Sequence, residues 1–357
     1  MNYYQFIAYF SAWLNNNFIT KLFFFAALYP ISMKNIKKQK TQQLDIFFKR
    51  MFYILLVTGT LFQLIDPAYA QSTYHPQQIQ LWPAGNIPGG TGPQGPEVVS
   101  SKGSYTNISQ PRLIVHYPQH SNGMAILVIS GGGYAHIEIG SESLPAAEWL
   151  ASQGITTFEL IYRLPAEGWS TTDVPFQDAQ RAIRVIRNMA EKLGISRNKV
   201  GVMGFSAGGH LAAMIETEPE HQFYAPIDDI DRHSAKCDFA ALIYPVITML
   251  PPFNHTHSEK VILGSHPDRR DEEEYSAQFH VSVHTPPTFL AQAEDDPISN
   301  VENSKEMYAA LQQNQVVSEL HLYPTGGHGW GLGKPGTPET SWPSLFKKWV
   351  QQIGVWQ

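Results

Sequence analysis

VGVMGFSAGGHLAAM, residues 200–214, sets one serine, Ser206, between an apolar run and a helix-like run. Gly204, Gly208 and Gly209 flank it, with Ala207 next to it. A plain surface turn accepts almost any small polar residue and needs no glycines at this spacing. The pattern Gly204-Phe205-Ser206-Ala207-Gly208 is G-x-S-x-G between a predicted strand and a predicted helix. On such a sharp turn the serine is strained and exposes its Oγ at the carboxyl edge of a sheet. Glycines two residues before and after let strand and helix approach without Cβ clashes. A phosphate-binding loop is the competing reading, but neither G-x-G-x-x-G nor G-x-x-x-x-G-K-[ST] is present here.

The surrounding pattern agrees with a strand-turn-helix. Strands are expected at 125–129 (AILVI), 155–162, 199–204, 239–246, 288–293 (TFLAQA) and 318–323. Helices are expected at 143–154, 175–194, 207–216, 301–313 and 342–353. In the second of these, Ala179, Ala182, Ile183, Ile186 and Met189 share one face. The alternation predicts an α/β fold, a mostly parallel sheet with helices on both faces. Residues 71–100 read as an irregular lead-in. Residues 247–286, with clustered His, Pro, Asp and Glu, read as a small cap insertion and candidate lid.

A serine hydroxyl is a weak nucleophile near neutral pH and needs a base, which itself needs an orienting acid. The chain order expected for this turn is Ser, acid, His. AQAEDDPIS (291–299) offers Asp295 and Asp296 just past a strand end, and GGHGWG (326–331) offers His328 after the next strand. Asp296 is the preferred acid because it lies farther past the end of TFLAQA. SGGGY (130–134) directly follows strand AILVI, so its glycine N–H groups can converge on one point. Gly132, Gly133 and Ala207 are the expected oxyanion donors, each worth about 3–4 kcal/mol in a transition state. Tyr134 and Trp330 are expected at the substrate. His210 and His321 read as structural, and Arg163 and Asp178 as an ion pair or caps. Asn254-His255-Thr256-His257 lacks a third ligand at metal-site spacing and reads as a solvated loop.

Composition bounds the rest. The chain has 357 residues, 43% hydrophobic and 16% charged, ordinary for a globular protein. Basic residues within 33–50, the apolar run FYILLVTGTLFQLI (52–65) and Ala68-Tyr69-Ala70 read as a cleaved export signal. Translation is expected to start at Met33 or Met51, with the aromatic-rich 1–32 an over-long extension. Residues 1–70 are thus the N-terminal extension and signal, and 71–357 the catalytic domain, secreted or periplasmic without stable membrane association. That domain holds 18 Lys and Arg against 29 Asp and Glu, a net charge of −11. Such acidity argues against nucleic acid as a partner. The single cysteine, Cys237, reads as a small core residue and excludes an intrachain disulfide.

Taken together, LWPAGNIPG (81–89), VISGGGYAHI (128–137), YRLP (162–165), DAQRAIRVIR (178–187), VGVMGFSAGGHLAA (200–213), TPPTFLAQAEDDP (285–297) and GGHGWGL (326–332) resemble the secreted α/β-hydrolases of the acetylxylan-esterase-like group. Some members of that group are labelled xylanase B. The resemblance spans nearly all of 71–357. It implies deacetylation of plant polysaccharide or oligosaccharide through Ser206, Asp296 and His328, with no cofactor and no metal. The sequence departs from the group at Ser141-Glu142-Ser143, where Glu-Gly is expected. Two other readings differ in class. A prolyl-oligopeptidase-type serine peptidase calls for an N-terminal propeller that this sequence does not offer. An inactive hydrolase fold that binds glycan would have no use for an intact serine, acid and histidine.

Overall fold

The computed structural model describes residues 77–356. The export signal read at 33–70 lies outside the described residues. The strands are β1 (Gln77–Gln80), β2 (Val98–Val99), β3 (Ser104–Thr106), β4 (Arg112–His116), β5 (Ala125–Ile129), β6 (Ile137–Glu138), β7 (Thr156–Ile161), β8 (Val200–Phe205), β9 (Phe239–Ile243), β10 (Thr288–Ala293) and β11 (Ser318–Tyr323). The helices are α1 (Leu144–Ser152), α2 (Val174–Met189), α3 (Ala207–Thr217), α4 (His257–Leu263), α5 (Arg269–Glu274), α6 (Glu302–Gln313) and α7 (Trp342–Gln352).

Eight strands form the main sheet in the order β1-β4-β7-β5-β8-β9-β10-β11. β1 and β4 pair antiparallel, as do β4 and β7, and every later pairing is parallel. β8 sits between β5 and β9 with Val202 opposite Leu127 on one side and Ala240 on the other. A strand buried on both faces should be apolar throughout, and β5, β8 and β9 are. Alternate residues then feed two cores. Leu127, Val202, Leu242 and Leu290 pack with α2, α3 and α6. Val128, Met203, Ala241 and Phe289 pack with α1 and α7. Helices therefore cover both faces, as the alternating pattern predicts, in the α/β-hydrolase arrangement. Cys237 is buried in the first of these cores.

Two local features differ from the sequence reading, and the expected Arg163–Asp178 ion pair is present. The strand expected to reach 246 stops at Ile243, because Tyr244 turns to φ +39° and Pro245 follows. The lead-in is less irregular than expected: β1 adds an edge strand, and β2 joins β3 and β6 in a second, three-stranded sheet. Residues 81–89 are pinned by the buried Arg163–Asp178 pair at 2.7 Å, to which Trp82 Nε1 also donates at 2.7 Å. Both charged side chains are inaccessible, and the backbone N–H of Arg163 donates to the same carboxylate, so neither charge is left uncompensated.

The 247–286 segment carries α4 and α5 and is tied down at several points. Tyr275 OH donates to Asp173 (2.6 Å), and the Ser276 hydroxyl accepts from Met249 N–H (2.8 Å). His210 on α3 lies 2.8 Å from the Tyr275 carbonyl through Nε2 and 2.8 Å from Tyr134 OH through Nδ1. A carbonyl can only accept, so Nε2 carries the proton and the phenol donates to Nδ1. Burial lowers the His210 pKa to about 4, consistent with a neutral structural ring. Among the described residues no helix is long and apolar enough to cross a membrane.

Candidate active site

β8 ends at Phe205 and α3 begins at Ala207, so Ser206 alone makes the turn, at φ +54° and ψ −119°. A non-glycine residue there costs about 1–3 kcal/mol and persists only where its surroundings hold it. Here Ser206 N–H donates to Ile243 O (3.0 Å), and its carbonyl accepts from His210 and Val246 N–H (3.1 Å each). The flanking glycines are sterically required. A Cβ on Gly204 would sit 2.1 Å from Gly208 O, one on Gly208 would sit 2.3 Å from Ile129 O, and one on Gly209 would meet Pro245 at 2.7 Å. Helix, strand and neighbouring strand end thus press together behind the serine.

β5, β8, β10 and β11 are parallel, so the loops that follow them leave from one edge of the sheet. Ser206 follows β8, Asp296 follows β10 and His328 follows β11. His328 Nε2 lies 2.7 Å from Ser206 Oγ, and Nδ1 lies 2.7 Å from Asp296 Oδ2. The carboxylate needs a proton on Nδ1, which leaves Nε2 free to accept from the serine hydroxyl. Asp296 is itself fixed: Oδ1 accepts the N–H groups of Ile298 (2.8 Å) and Ser299 (2.9 Å), and Oδ2 also accepts from Gln292 (3.0 Å). Asp295 points elsewhere and accepts from Gly327 N–H (2.8 Å), steadying the histidine loop.

The loop after β5 folds over the serine. A Cβ on Gly131 would sit 2.6 Å from Ser206 Cβ, so only glycine permits this approach. Gly132 adopts φ +115°, and its carbonyl accepts from Ala135 and His136 N–H. Among the described residues, no hydrogen-bond acceptor takes the N–H of Gly132, Gly133 or Ala207. Glu142 lies behind this loop, 3% exposed, with its carboxyl pushed up to about 7 chiefly by burial.

Ser206 opens onto a cleft of about 610 Å³ lined by Gly132, Gly133, His328, Val246 and Ile298, among others. Tyr134 and Trp330, expected at the substrate, are packed in the core instead. Tyr134 turns inward at φ +60°, and Trp330 packs its ring 4.5 Å from Tyr244. The polar wall of the cleft comes from Lys102, His136, Glu138 and Ser141. Glu138 accepts from Ser104 and Ser141 hydroxyls at 3.1 Å each and lies 2.8 Å from His136 Nε2. His257, expected in a solvated loop, begins α4 and lines the cleft with Thr256 and Ser258. These residues come from separate segments, and no local motif marks them. Among the described residues, no cluster of three or more His, Cys, Asp or Glu could hold a metal ion. His321 pairs with Glu319 within β11 (2.6 Å).

The model of the BD-FAE family matches residues 113–311, more than half of the chain. An acetylxylan esterase of Xylanibacter ruminicola is 32% identical over 249 residues, 69% of this chain and 47% of that protein. An endo-1,4-beta-xylanase B of Butyrivibrio fibrisolvens is 32% identical over 218 residues, 57% of this chain and 32% of that protein. The chain thus spans about half, or less, of the length of these curated relatives. The crystal structure of an acetyl ester-xyloside bifunctional hydrolase from Caldicellulosiruptor lactoaceticus superposes with a TM-score of 0.67 at 36% identity, covering 80% of this chain and 100% of that one.

Proposed function

We infer the function from one premise: the chain belongs to the BD-FAE family and has the α/β-hydrolase fold. On that premise we propose a serine esterase that removes acetyl groups from xylan-type polysaccharide or oligosaccharide. The observation that carries the proposal is the Ser206–His328–Asp296 chain of two 2.7 Å contacts at the base of the cleft.

In the proposed reaction, Ser206 Oγ attacks the acetyl carbonyl carbon while His328 Nε2 takes its proton. The developing oxyanion is held by the N–H groups of Gly132, Gly133 and Ala207. Asp296 holds the imidazolium. The ester C–O bond then breaks, and His328 gives the proton to the departing sugar oxygen. Water attacks the acetyl-serine, with His328 now taking the water's proton. Collapse of that second intermediate releases acetic acid and returns the proton to Ser206.

Two features support a sugar ester over a small acyl ester. The cleft far exceeds what an acetyl group fills, being in the range that holds a drug-sized ligand. Its wall of Lys102, His136, Glu138 and Ser141 offers donors and acceptors suited to hydroxyl groups. Export to the cell exterior or periplasm belongs to the same proposal, since polysaccharide is met there. It rests on the 33–70 sequence, and N-terminal sequencing of the cell-free protein tests it, with a start at Gln71 expected.

The deciding experiment is acetate release from acetylated xylan by the full chain and its Ser206→Ala variant. Release that disappears in the variant supports both substrate class and nucleophile. Hydrolysis of p-nitrophenyl acetate with no release from any acetylated glycan would leave a carboxylesterase and overturn the glycan substrate.

A further inference from the structure

We propose that Glu142, acting through Tyr244, is a positioning residue that ties the oxyanion loop to the loop carrying His328 and sets a second negative charge behind the imidazolium. The proposal rests on the serine-esterase reading above.

Glu142 lies in the π-helical turn Ile139–Ser143 that leads into α1. Its two oxygens have different partners. Oε2 accepts the N–H of Gly131 at 2.6 Å, the residue before the proposed oxyanion donors Gly132 and Gly133. Oε1 accepts from Tyr244 OH at 3.1 Å. The Tyr244 oxygen in turn accepts the N–H of Gly331 at 3.0 Å, three residues beyond His328. Gly331 is held from its other side, its carbonyl accepting from Trp342 Nε1 at 2.9 Å. The Tyr244 ring also meets His328 edge-on, with centroids 4.9 Å apart. One carboxylate and one phenol therefore bridge the oxyanion loop and the loop that carries His328. The spacing of these loops matters because oxyanion donors and base must meet one tetrahedral carbon together.

The charge has its own consequence. The groups facing Glu142 are His328 and Glu138, with the phenols of Tyr244 and Tyr162. The electrostatic effects of His328 and Glu138 on it are opposed, His328 favouring the ionised form and Glu138 opposing it. In each proposed transition state His328 becomes cationic. An ionised Glu142 stabilises that cation, and a protonated one does not. Burial holds the carboxyl at about 7, so the change falls within the working range of a serine esterase. Glu142→Gln keeps the shape but is fixed in the uncharged state. Its amide also cannot accept both from Gly131 and from Tyr244.

The test uses the full chain with p-nitrophenyl acetate from pH 5 to 9. In Glu142→Gln, kcat above pH 7 should fall about 10–100-fold, the effect of losing a charge-assisted contact, with KM changed less than about threefold. In the wild type, kcat should therefore drop by an extra factor of about 10–100 as pH falls through about 7, where Glu142 takes up its proton. In the Gln variant that extra drop should be missing, so the two profiles converge below pH 7. Tyr244→Phe keeps the ring but removes the bridge. It should fall about tenfold, and the double variant should be no worse than Glu142→Gln by more than about threefold. Should the Gln variant fail to fold, Tyr244→Phe carries the test alone, through its kcat loss at unchanged KM. A Gln variant with the wild-type pH profile, or losses that merely follow a lowered melting temperature, would overturn the proposal. Ser206→Ala run beside them separates the two readings. Turnover surviving in it overturns the esterase mechanism itself, whereas Ser206-dependent turnover with an unchanged Gln profile overturns only the role of Glu142.

Discussion

Asp296→Asn tests the proposed mechanism most sharply, because the surroundings of the carboxylate dictate how the amide must sit. Asp296 Oδ1 accepts two backbone N–H groups, Ile298 at 2.8 Å and Ser299 at 2.9 Å. If the amide oxygen stays there, the NH2 group faces His328 Nδ1. If it flips, its NH2 faces two N–H donors and both lose their acceptor, at about 1–3 kcal/mol for the buried Ser299 N–H alone. The first orientation wins. It also sets the new NH2 against Gln292 Nε2, which cannot turn away cheaply. Gln292 donates to Ser299 O at 2.8 Å and accepts from Ser304 Oγ at 2.7 Å. With an NH2 facing it, Nδ1 of His328 must accept, so the ring proton moves to Nε2, opposite Ser206 Oγ. The histidine can then no longer take the serine proton. A triad held in the wrong tautomer loses about 10⁴ in kcat, or about 5.4 kcal/mol. Steady-state hydrolysis of p-nitrophenyl acetate reads this directly, with melting curves confirming that the variant folds. Asp295→Asn is the control. Its amide oxygen can still accept from Gly327 N–H, so kcat should fall less than tenfold. An Asp296→Asn enzyme within tenfold of wild type, or an Asp295→Asn enzyme that loses more, would refute the reasoning.

Other outcomes follow from the same geometry. Gly204→Ala puts a methyl 2.1 Å from Gly208 O, so α3 must retreat by about 1 Å; kcat/KM should fall about 100-fold, and the melting temperature should drop with it. Glu138→Gln weakens the polar wall of the cleft, so kcat/KM on acetylated xylo-oligosaccharide should fall about tenfold while p-nitrophenyl acetate turnover stays within twofold. Glu142 also has a signature in stability. Its carboxyl is raised from 4.5 to about 7 on folding, so the folded state holds the proton longer and stability declines as pH rises through that window. The full penalty, about 3 kcal/mol, is present above pH 7 and absent below 4.5. Urea unfolding at pH 4.5 and 8 should show this difference shrinking by about that amount in Glu142→Gln. His210 acts with the opposite sign: its lowered pKa means that stability rises with pH between about 4 and 6.5. His210→Asn should flatten the unfolding free energy across that range.

Much of this protein was determined by local sequence. The runs at 125–129, 288–293 and 318–323, the last one alternating polar and apolar residues, are the strands β5, β10 and β11 to the residue, because burial on both faces or on alternate faces depends on near neighbours. The G-x-S-x-G turn was legible for the same reason: each glycine answers a clash within a few residues or with the adjoining strand. The order Ser206, Asp296, His328 was legible because each follows a strand that reads clearly. Tertiary structure decided what depends on the direction in which a side chain leaves the backbone. Asp295 and Asp296 are consecutive in one loop, yet one meets the Gly327 N–H and the other His328. Tyr134 next to the oxyanion loop turns into the core, while His257, over a hundred residues away, lines the cleft. The polar wall joins Lys102 to residues near 138, and Glu142 reaches Tyr244 from 102 positions away. Such pairings are set by which strands lie side by side and by which face a turn presents. The period of a sequence carries the first only loosely and the second not at all, because it records neighbours along the chain rather than across the fold.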